Sequence, residues 1–184
     1  MSVPTLALGI EGWALRAWCD GDAPSLAEHA DNLKVWRNMS DAFPHPYTVA
    51  VAEHWVRHGH LDFGGDHWAI AFNDTAVGGC GIAPQSGHLR CNAEVGYWLA
   101  ERHWGRGVAT QALCALVARA FTDPEITRVV APIHADNAAS MRVAEKAGML
   151  RESVQPQSAI KAGRVIDCVV YARYREAQVP DTAP

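Results

Sequence analysis

The chain has 184 residues, 49% hydrophobic and 20% charged, with a formal net charge of −4. That balance is ordinary for a soluble globular chain, and a chain of this size can bury roughly 70% of its unfolded surface without disulfide staples. The net negative charge argues against general nucleic-acid binding, which wants a basic face.

Residues 1–10 carry no basic residue before their apolar stretch, so they do not read as a signal peptide, and no apolar run approaches membrane-spanning length. The five cysteines, Cys19, Cys80, Cys91, Cys114 and Cys168, are odd in number and form no C-x-x-C pair. They are expected to be mostly small buried hydrophobes in a reducing cytoplasm.

Residues 12–19 alternate as a first strand, and Asp20, Gly21 and Asp22 break it. Asp22 followed by Pro24 starts a helix expected to reach about Met39, with Leu26, Ala30, Leu33 and Trp36 on its buried face. Residues 41–48 read Asp-Ala-Phe-Pro-His-Pro-Tyr-Thr, and two prolines in three residues forbid a regular helix. Aromatic residues in such a loop are expected to be more exposed than usual; the segment reads as a packed connector or as part of a binding wall. Thr48 then caps a second helix to about His58, with Val51, Trp55 and Val56 as apolar contacts. His54, His58 and His60 include an i, i+4 pair that could ligate zinc, but no H-E-x-x-H is present, so a solvated helix end is the better account and no metal is expected.

Residues 67–72 and 75–83 form a hairpin around Asn73 and Asp74. Its second strand holds Gly78, Gly79 and Gly81, which fit a close approach or a bulge. Residues 84–90 are a loop, and 91–100 a strand.

The strand leads into Trp-Gly-Arg-Gly-Val-Ala-Thr at 104–110 and then a helix with Leu113, Leu116, Val117, Ala120 and Phe121 in an apolar stripe. A glycine-bearing turn into a helix aims free N–H groups and the positive end of the helix dipole at one point, where an anion can sit. No acid occurs between Glu101 and Asp123, while Arg102, Arg106 and Arg119 do. An ordinary turn that binds nothing is the competing reading. The turn lacks the Gly-Lys-Ser/Thr of a P-loop and the third glycine and following acid of a dinucleotide site.

Asp123-Pro124 ends this helix, and residues 128–133 form a strand. Asp136 or Asn137 caps a short helix to Ala147, and Gly148 suits its C-terminal exit. Residues 149–154 and 165–173 are final strands around a 155–164 connection, and the tail from Glu176 reads as frayed. The order β-α-α-β-β-β-α-β-α-β-β implies an α/β fold of the α+β type: one domain over 1–184 with its core at about 12–174, built on a mixed, mainly antiparallel sheet with helices on both faces.

The spacing at 104–109 resembles the acyl-CoA loop of the GNAT N-acetyltransferases, Q/R-x-x-G-x-G/A, with Trp104 at the first position. That departure is familiar in the ribosomal-protein-alanine N-acetyltransferase-like branch, which the chain also resembles at Glu-Val-Gly-Tyr-Trp-Leu (94–99) and at Asn-Ala-Ala-Ser (137–140) before Glu-Lys-Ala-Gly (145–148). The resemblance implies the GNAT fold, with two central strands splayed into a cleft for acetyl-CoA. It implies that Trp104, Gly105, Arg106, Gly107, Val108, Ala109 and Thr110 form the pyrophosphate loop. The backbone of Tyr97, Trp98 and Leu99 would pair with the pantetheine arm, Asn137 would hydrogen-bond it, and Gly96 would fit a bulge opening the cleft. Ser140 is implied as the acid or thiolate stabiliser, or else only a helix cap. Glu94 is implied as the general base, or else an edge-strand carboxylate in a salt bridge. Some relatives place a catalytic glutamate in the last connection, where this chain has Ala159. Trp36, Phe43, Pro44, His45 and Tyr47 are implied on the acceptor side.

The activity so implied is direct acetyl transfer to a primary amine, either a protein N-terminus or a small molecule, by a monomer or homodimer with no metal, nucleic-acid or membrane partner. A non-catalytic acyl-CoA-binding sensor or interaction module is the alternative from another class.

Overall fold

The computed structural model describes residues 3–62 and 64–176. Its strands are β1 (Leu6–Ala7), β2 (Trp13–Arg16), β3 (Asp66–Phe72), β4 (Thr75–Pro84), β5 (Asn92–Leu99), β6 (Arg128–His134), β7 (Leu150–Lys161) and β8 (Arg164–Tyr174). They form one sheet in the order β1-β2-β3-β4-β5-β6-β8-β7. Every neighbouring pair is antiparallel except β5 and β6. Those two are joined through α5 (Val108–Ala120), a parallel crossover of the kind that places a helix on one face of a sheet.

Apolar residues of α5 fall at helical spacing, and Val108, Ala112, Leu113, Leu116, Val117 and Ala120 are all buried. They pack with Ala93, Val95, Leu99, Val129, Ala131 and Ile133 of the central strands, and α6 (Ala138–Lys146) adds Ala144 to the same core. The opposite face carries α1 (Ala23–Ala30) and α3 (Val49–His54), whose Leu26, Ala27, Ala30 and Ala52 pack with Tyr47, Val56, Phe43 and Trp98. Helices therefore cover both faces, as the element order implied. Leu113 is fully buried at the middle of this packing. Leu113→Ala is expected to lower the unfolding free energy by about 3 kcal/mol, read by urea denaturation; a loss under about 1 kcal/mol would place the core elsewhere.

Several local expectations are corrected. The first helix stops at Ala30, and a separate turn, α2 (Leu33–Trp36), follows. The break lies at Asp31 and Asn32, whose side chains bond backbone instead of continuing the helix. Asp31 Oδ1 accepts the Tyr47 N–H at 2.9 Å, and Asn32 Oδ1 accepts the Lys34 N–H at 2.8 Å. Leu33 is consequently exposed, not on the buried face. The Asp22 carboxylate caps no α1 amide; it holds the Arg16 guanidinium at 2.7 and 2.8 Å and accepts the Cys19 N–H. Thr48 does cap α3, accepting the Val51 N–H at 3.3 Å, and the coil continues through a wider turn, Trp55–Gly59, into α4 (His60–Asp62).

β1 was not expected; two residues paired to β2 are too few to show a period. The 155–164 connection is largely strand, since β7 and β8 form a long hairpin closed by Ala162 and Gly163, both at positive φ (50° and 75°). Its polar sequence and Pro156 hid it, and the ladder slips between Gln155 and Ala159. Only Cys80 and Cys168 are buried; Cys19 and Cys91 are exposed and Cys114 is half-buried. The segment after Glu176 lies outside the described residues. No helix among those described is long and apolar enough to cross a membrane.

Candidate active site

β5 and β6 pair over three positions, Asn92 with Arg128, Ala93 with Val129 and Glu94 with Val130, and then part. Beyond Glu94, the edge of β5 that faces β6 has no strand partner, and a cleft of about 1370 Å³ opens there. Gly96 does not cause the opening. It pairs with Gly81 in unbroken register, so the expected bulge is absent. The splay comes from the two strands diverging.

Side chains alternate along β5. Ala93, Val95 and Leu99 join the core under α5, with Tyr97 packed against it, while Trp98 joins the cluster under α1 and α3. Glu94 and Gly96 share the Trp98 face. The split thus presents Tyr97 to one side and Glu94 to the other.

On the α5 side, the turn at 104–107 enters the helix through Gly105 (φ 76°) and Gly107 (φ 78°). Gly107 is the N-cap, no side chain caps the first amides, and the first turn holds no acid. Trp104, Gly105, Arg106, Gly107, Val108, Ala109 and Thr110 all border the cleft. The Trp104 indole N–H donates to the Leu99 carbonyl at 2.7 Å. Trp104 therefore ties the turn to the last residue of β5, which gives the unusual first residue of the motif a structural role. It also occupies the Leu99 carbonyl, leaving Tyr97 as the better placed of the expected strand partners for a bound arm.

α6 begins at the same cleft. Asn137 caps it, with Oδ1 accepting the Ser140 N–H at 3.1 Å, so Asn137 keeps both amide N–H groups and one oxygen lone pair for a ligand. The Ser140 hydroxyl lies 2.6 Å from the Tyr97 hydroxyl. Burial pushes the Tyr97 phenol up to about 12, with the Ser140 hydrogen bond pulling the other way. Tyr97 thus keeps its proton near neutrality and can donate it to Ser140 Oγ, which frees the serine O–H to point at a third group. The resemblance implies a role for the Tyr97 backbone alone; two residues 43 apart give no periodic signal that joins their side chains.

On the other side, the Glu94 side chain is exposed to the cleft, and partial desolvation by the cleft walls pushes its carboxyl up. Phe43 and Tyr47 stack with ring centroids 4.8 Å apart, Phe43 meets Trp98 edge-on at 5.7 Å, and Phe43, Pro44 and Tyr47 border the cleft. These loop aromatics are not unusually exposed. Tyr47 is 5% exposed, because Asp31 draws its backbone inward. Trp36 and His45 are not brought to the cleft. They pair with each other at 5.6 Å, Lys161 Nζ lies 3.8 Å over the Trp36 ring, and His45 Nδ1 lies 3.1 Å from Asp31. Ala159 does border the cleft, so the position where some relatives carry a glutamate is apolar here. His67, to which neither periodicity nor the resemblance assigns a role, borders it too. The His54 and His58 rings lie 5.8 Å apart, and no group of three or more metal-ligating side chains occurs among the described residues.

Comparison with known proteins bears on this geometry. The chain is 36% identical over 97 residues to the uncharacterized protein YkkB of Bacillus subtilis (strain 168), covering 52% of this chain and 56% of the relative. It is 36% identical over 90 residues to the ribosomal-protein-serine acetyltransferase of Escherichia coli (strain K12), covering 49% and 50%. The chain spans about half the length of the curated relatives it matches. Among solved structures, RimL, a ribosomal alpha-N-protein acetyltransferase in complex with coenzyme A, superposes with a TM-score of 0.79 at 23% identity, over 93% of this chain and 98% of that one. Mycobacterium smegmatis RimJ in complex with CoA-disulfide gives 0.80 at 20% identity, over 93% and 87%. At those identities the two structures establish the fold. The family model for the acetyltransferase (GNAT) domain matches residues 14–150, most of the chain and all of the cleft's β5–α5 half, and the chain belongs to that family.

Proposed function

We propose that this protein transfers the acetyl group of acetyl-CoA directly to a primary amine, with both substrates held in the β5–β6 split. The observation that carries the reading is the division of the split: an uncapped, acid-free helix start and the Tyr97–Ser140 pair on one side, and a partly desolvated carboxylate on the other. The turn at 104–110 and Arg106 suit the phosphates of the cosubstrate, and the unpaired edge at Tyr97 suits its amide-bearing arm. Bound there, acetyl-CoA supplies a thioester. Ser140, backed by Tyr97, donates to the departing sulfur, and Glu94 attracts the ammonium form of the acceptor and relays its proton. The relatives named for ribosomal-protein acetylation support a protein N-terminus as the acceptor, ahead of a small amine. A sensor that only binds acyl-CoA would need neither Glu94 nor the Tyr97–Ser140 bond.

A screen of amines and short peptides with free N-termini, each mixed with acetyl-CoA and followed by thiol release, tests this. Release should depend on the amine and match acetylated product one to one. Binding of acetyl-CoA with no release across the screen would favour the sensor.

Glu94 adds a pH prediction. Its pKa is raised by partial desolvation, and the charged form is the working one, so the rate should rise with pH through a value above the ordinary one for the group. Glu94→Gln should slow transfer, most strongly near neutrality, and remove that limb. An unchanged profile in the variant would refute the assignment of Glu94 while leaving the acetyl-CoA site standing.

A further inference from the structure

We propose that His67 is the proton acceptor for the incoming amine, standing beside the bare Gly96 on the sheet face that also carries Glu94; this rests on the transfer reading above. Three residues form one row across the sheet: His67 on β3 pairs with Gly81 on β4, and Gly81 pairs with Gly96 on β5. The glycines of this face are not equivalent. A Cβ added at Gly81 would lie 2.5 Å from His67 Nδ1, and one at Gly79 would lie 2.8 Å from the Trp98 indole nitrogen. A Cβ at Gly96 would meet nothing within 4 Å. The side chains of His67 and Trp98 thus fill the places that Gly81 and Gly79 leave, and Gly96 is left open between them. Glu94 stands two residues along β5 on the same face. His67, Gly81, Gly96, Glu94 and Trp98 all border the cleft. The floor beside the open split is framed by an imidazole, an indole and a carboxylate.

The His67 ring has a defined orientation. Its Nε2 lies 2.9 Å from the Gly64 carbonyl oxygen, and a carbonyl can only accept. Nε2 therefore carries the hydrogen in the neutral ring, and Nδ1 carries the lone pair. Trp55 meets the ring edge-on at 5.7 Å and helps fix it. Nδ1 stands over β4, so a nitrogen seated over Gly96 is about one strand spacing away, roughly 4.8 Å, within reach of one bridging water. Burial holds the His67 pKa below its ordinary value, with His60 acting in the same direction and the Gly64 carbonyl and Asp66 opposing. Asp66 is itself paired with Arg119 at 3.0 Å, and Glu94 lies on the same sheet face as the ring, two residues along β5 from Gly96. The ring is thus neutral near pH 7. The neutral ring offers the Nδ1 lone pair as a base, and Ala159 offers no base at all.

The ammonium gives one proton to Nδ1, through Glu94 or water, and imidazole becomes imidazolium. The freed lone pair forms the N–C bond, the C–S bond breaks, and its electron pair leaves on sulfur. The nitrogen loses its second surplus proton to water, the sulfur takes one from Ser140, and solvent restores Ser140. One proton in all returns from His67 to solvent.

The test compares wild type, His67→Gln and Gly81→Ala with acetyl-CoA and two acceptor probes, a short peptide with a free N-terminal serine and spermidine, across pH. In the wild type, kcat/KM should be level from the His67 pKa up to the amine pKa. In His67→Gln it should fall about a hundredfold at pH 7 and climb about tenfold per pH unit as the free amine fills, so the loss shrinks at high pH. Gly81→Ala, which pushes the ring aside, should lose activity in the same pH-dependent way, and acetyl-CoA affinity by calorimetry should be unchanged in both. Wild-type kcat/KM in His67→Gln, or an equal loss at every pH, overturns the role of His67 and leaves acetyl transfer standing. No thiol release by the wild type with either probe or any amine of the screen removes acetyl transfer and this role together.

Discussion

Gly107→Glu should abolish acetyl-CoA binding in a protein that still folds. Gly107 caps α5 in the left-handed region, with φ 78° and open space where a side chain would project. A carboxylate there would sit at the first free amides of the helix, in the place proposed for phosphate. Two like charges about 4 Å apart at an effective dielectric near 20 repel by about 4 kcal/mol, close to a thousandfold in affinity. Part of any loss would come from strain, since a side chain in the left-handed region costs roughly 1–2 kcal/mol. Gly107→Ala carries the strain without the charge and separates the two. Calorimetry should therefore show Gly107→Ala weakened modestly and Gly107→Glu silent. Equal affinity in folded Gly107→Glu and wild type would remove the phosphate assignment of this turn.

The second large effect belongs to Ser140. Ser140→Ala should lower kcat by about a hundredfold, the usual scale for removing a positioned acid, while acetyl-CoA affinity changes little. The reason lies in timing: the serine proton matters only as negative charge gathers on sulfur, so its loss shows in turnover and not in ground-state binding. The Ser140 backbone N–H would still be capped by Asn137 in the variant, so α6 should keep its start. Tyr97→Phe, which removes the 2.6 Å hydroxyl contact but keeps the ring, should give a smaller loss in the same parameter. An unchanged kcat at saturating acetyl-CoA in Ser140→Ala would reduce Ser140 to a helix-cap residue.

The parts of this molecule that could be read from sequence are those set by short-range period. The α5 stripe from Leu113 to Phe121 and the glycines at 105 and 107 announce a strand, a turn and a helix within a single stretch. The resemblance at 94–99 and 137–140 then located both walls of the cleft. What stayed hidden depends on contacts between distant segments. Asp31 breaks the first helix because it bonds the Tyr47 amide 16 residues away, and that same bond draws inward Tyr47, which the two prolines alone would leave exposed. Trp36 and His45 share that loop region yet turn toward Lys161 and Asp31, since the β7–β8 hairpin tip packs there: the Ala162 N–H reaches the Asp41 carboxylate at 3.2 Å, 121 residues away in the chain. Gly81 read equally well as a bulge or a close approach; only the register with His67 shows which. Trp104, a mismatch to the motif when read along the chain, is explained by its bond to Leu99.

Acetyl transfer itself is tested most directly by mixing the purified protein with acetyl-CoA labelled with carbon-13 in the acetyl group, and with the amine and peptide screen. Mass spectrometry then follows the label while free thiol is counted. The split with Glu94 on one face and Tyr97–Ser140 on the other predicts one labelled acetyl group on the acceptor nitrogen for each thiol released, and none when the amine is left out. Tight acetyl-CoA binding with no label on any amine, or label retained on the protein itself, would contradict it.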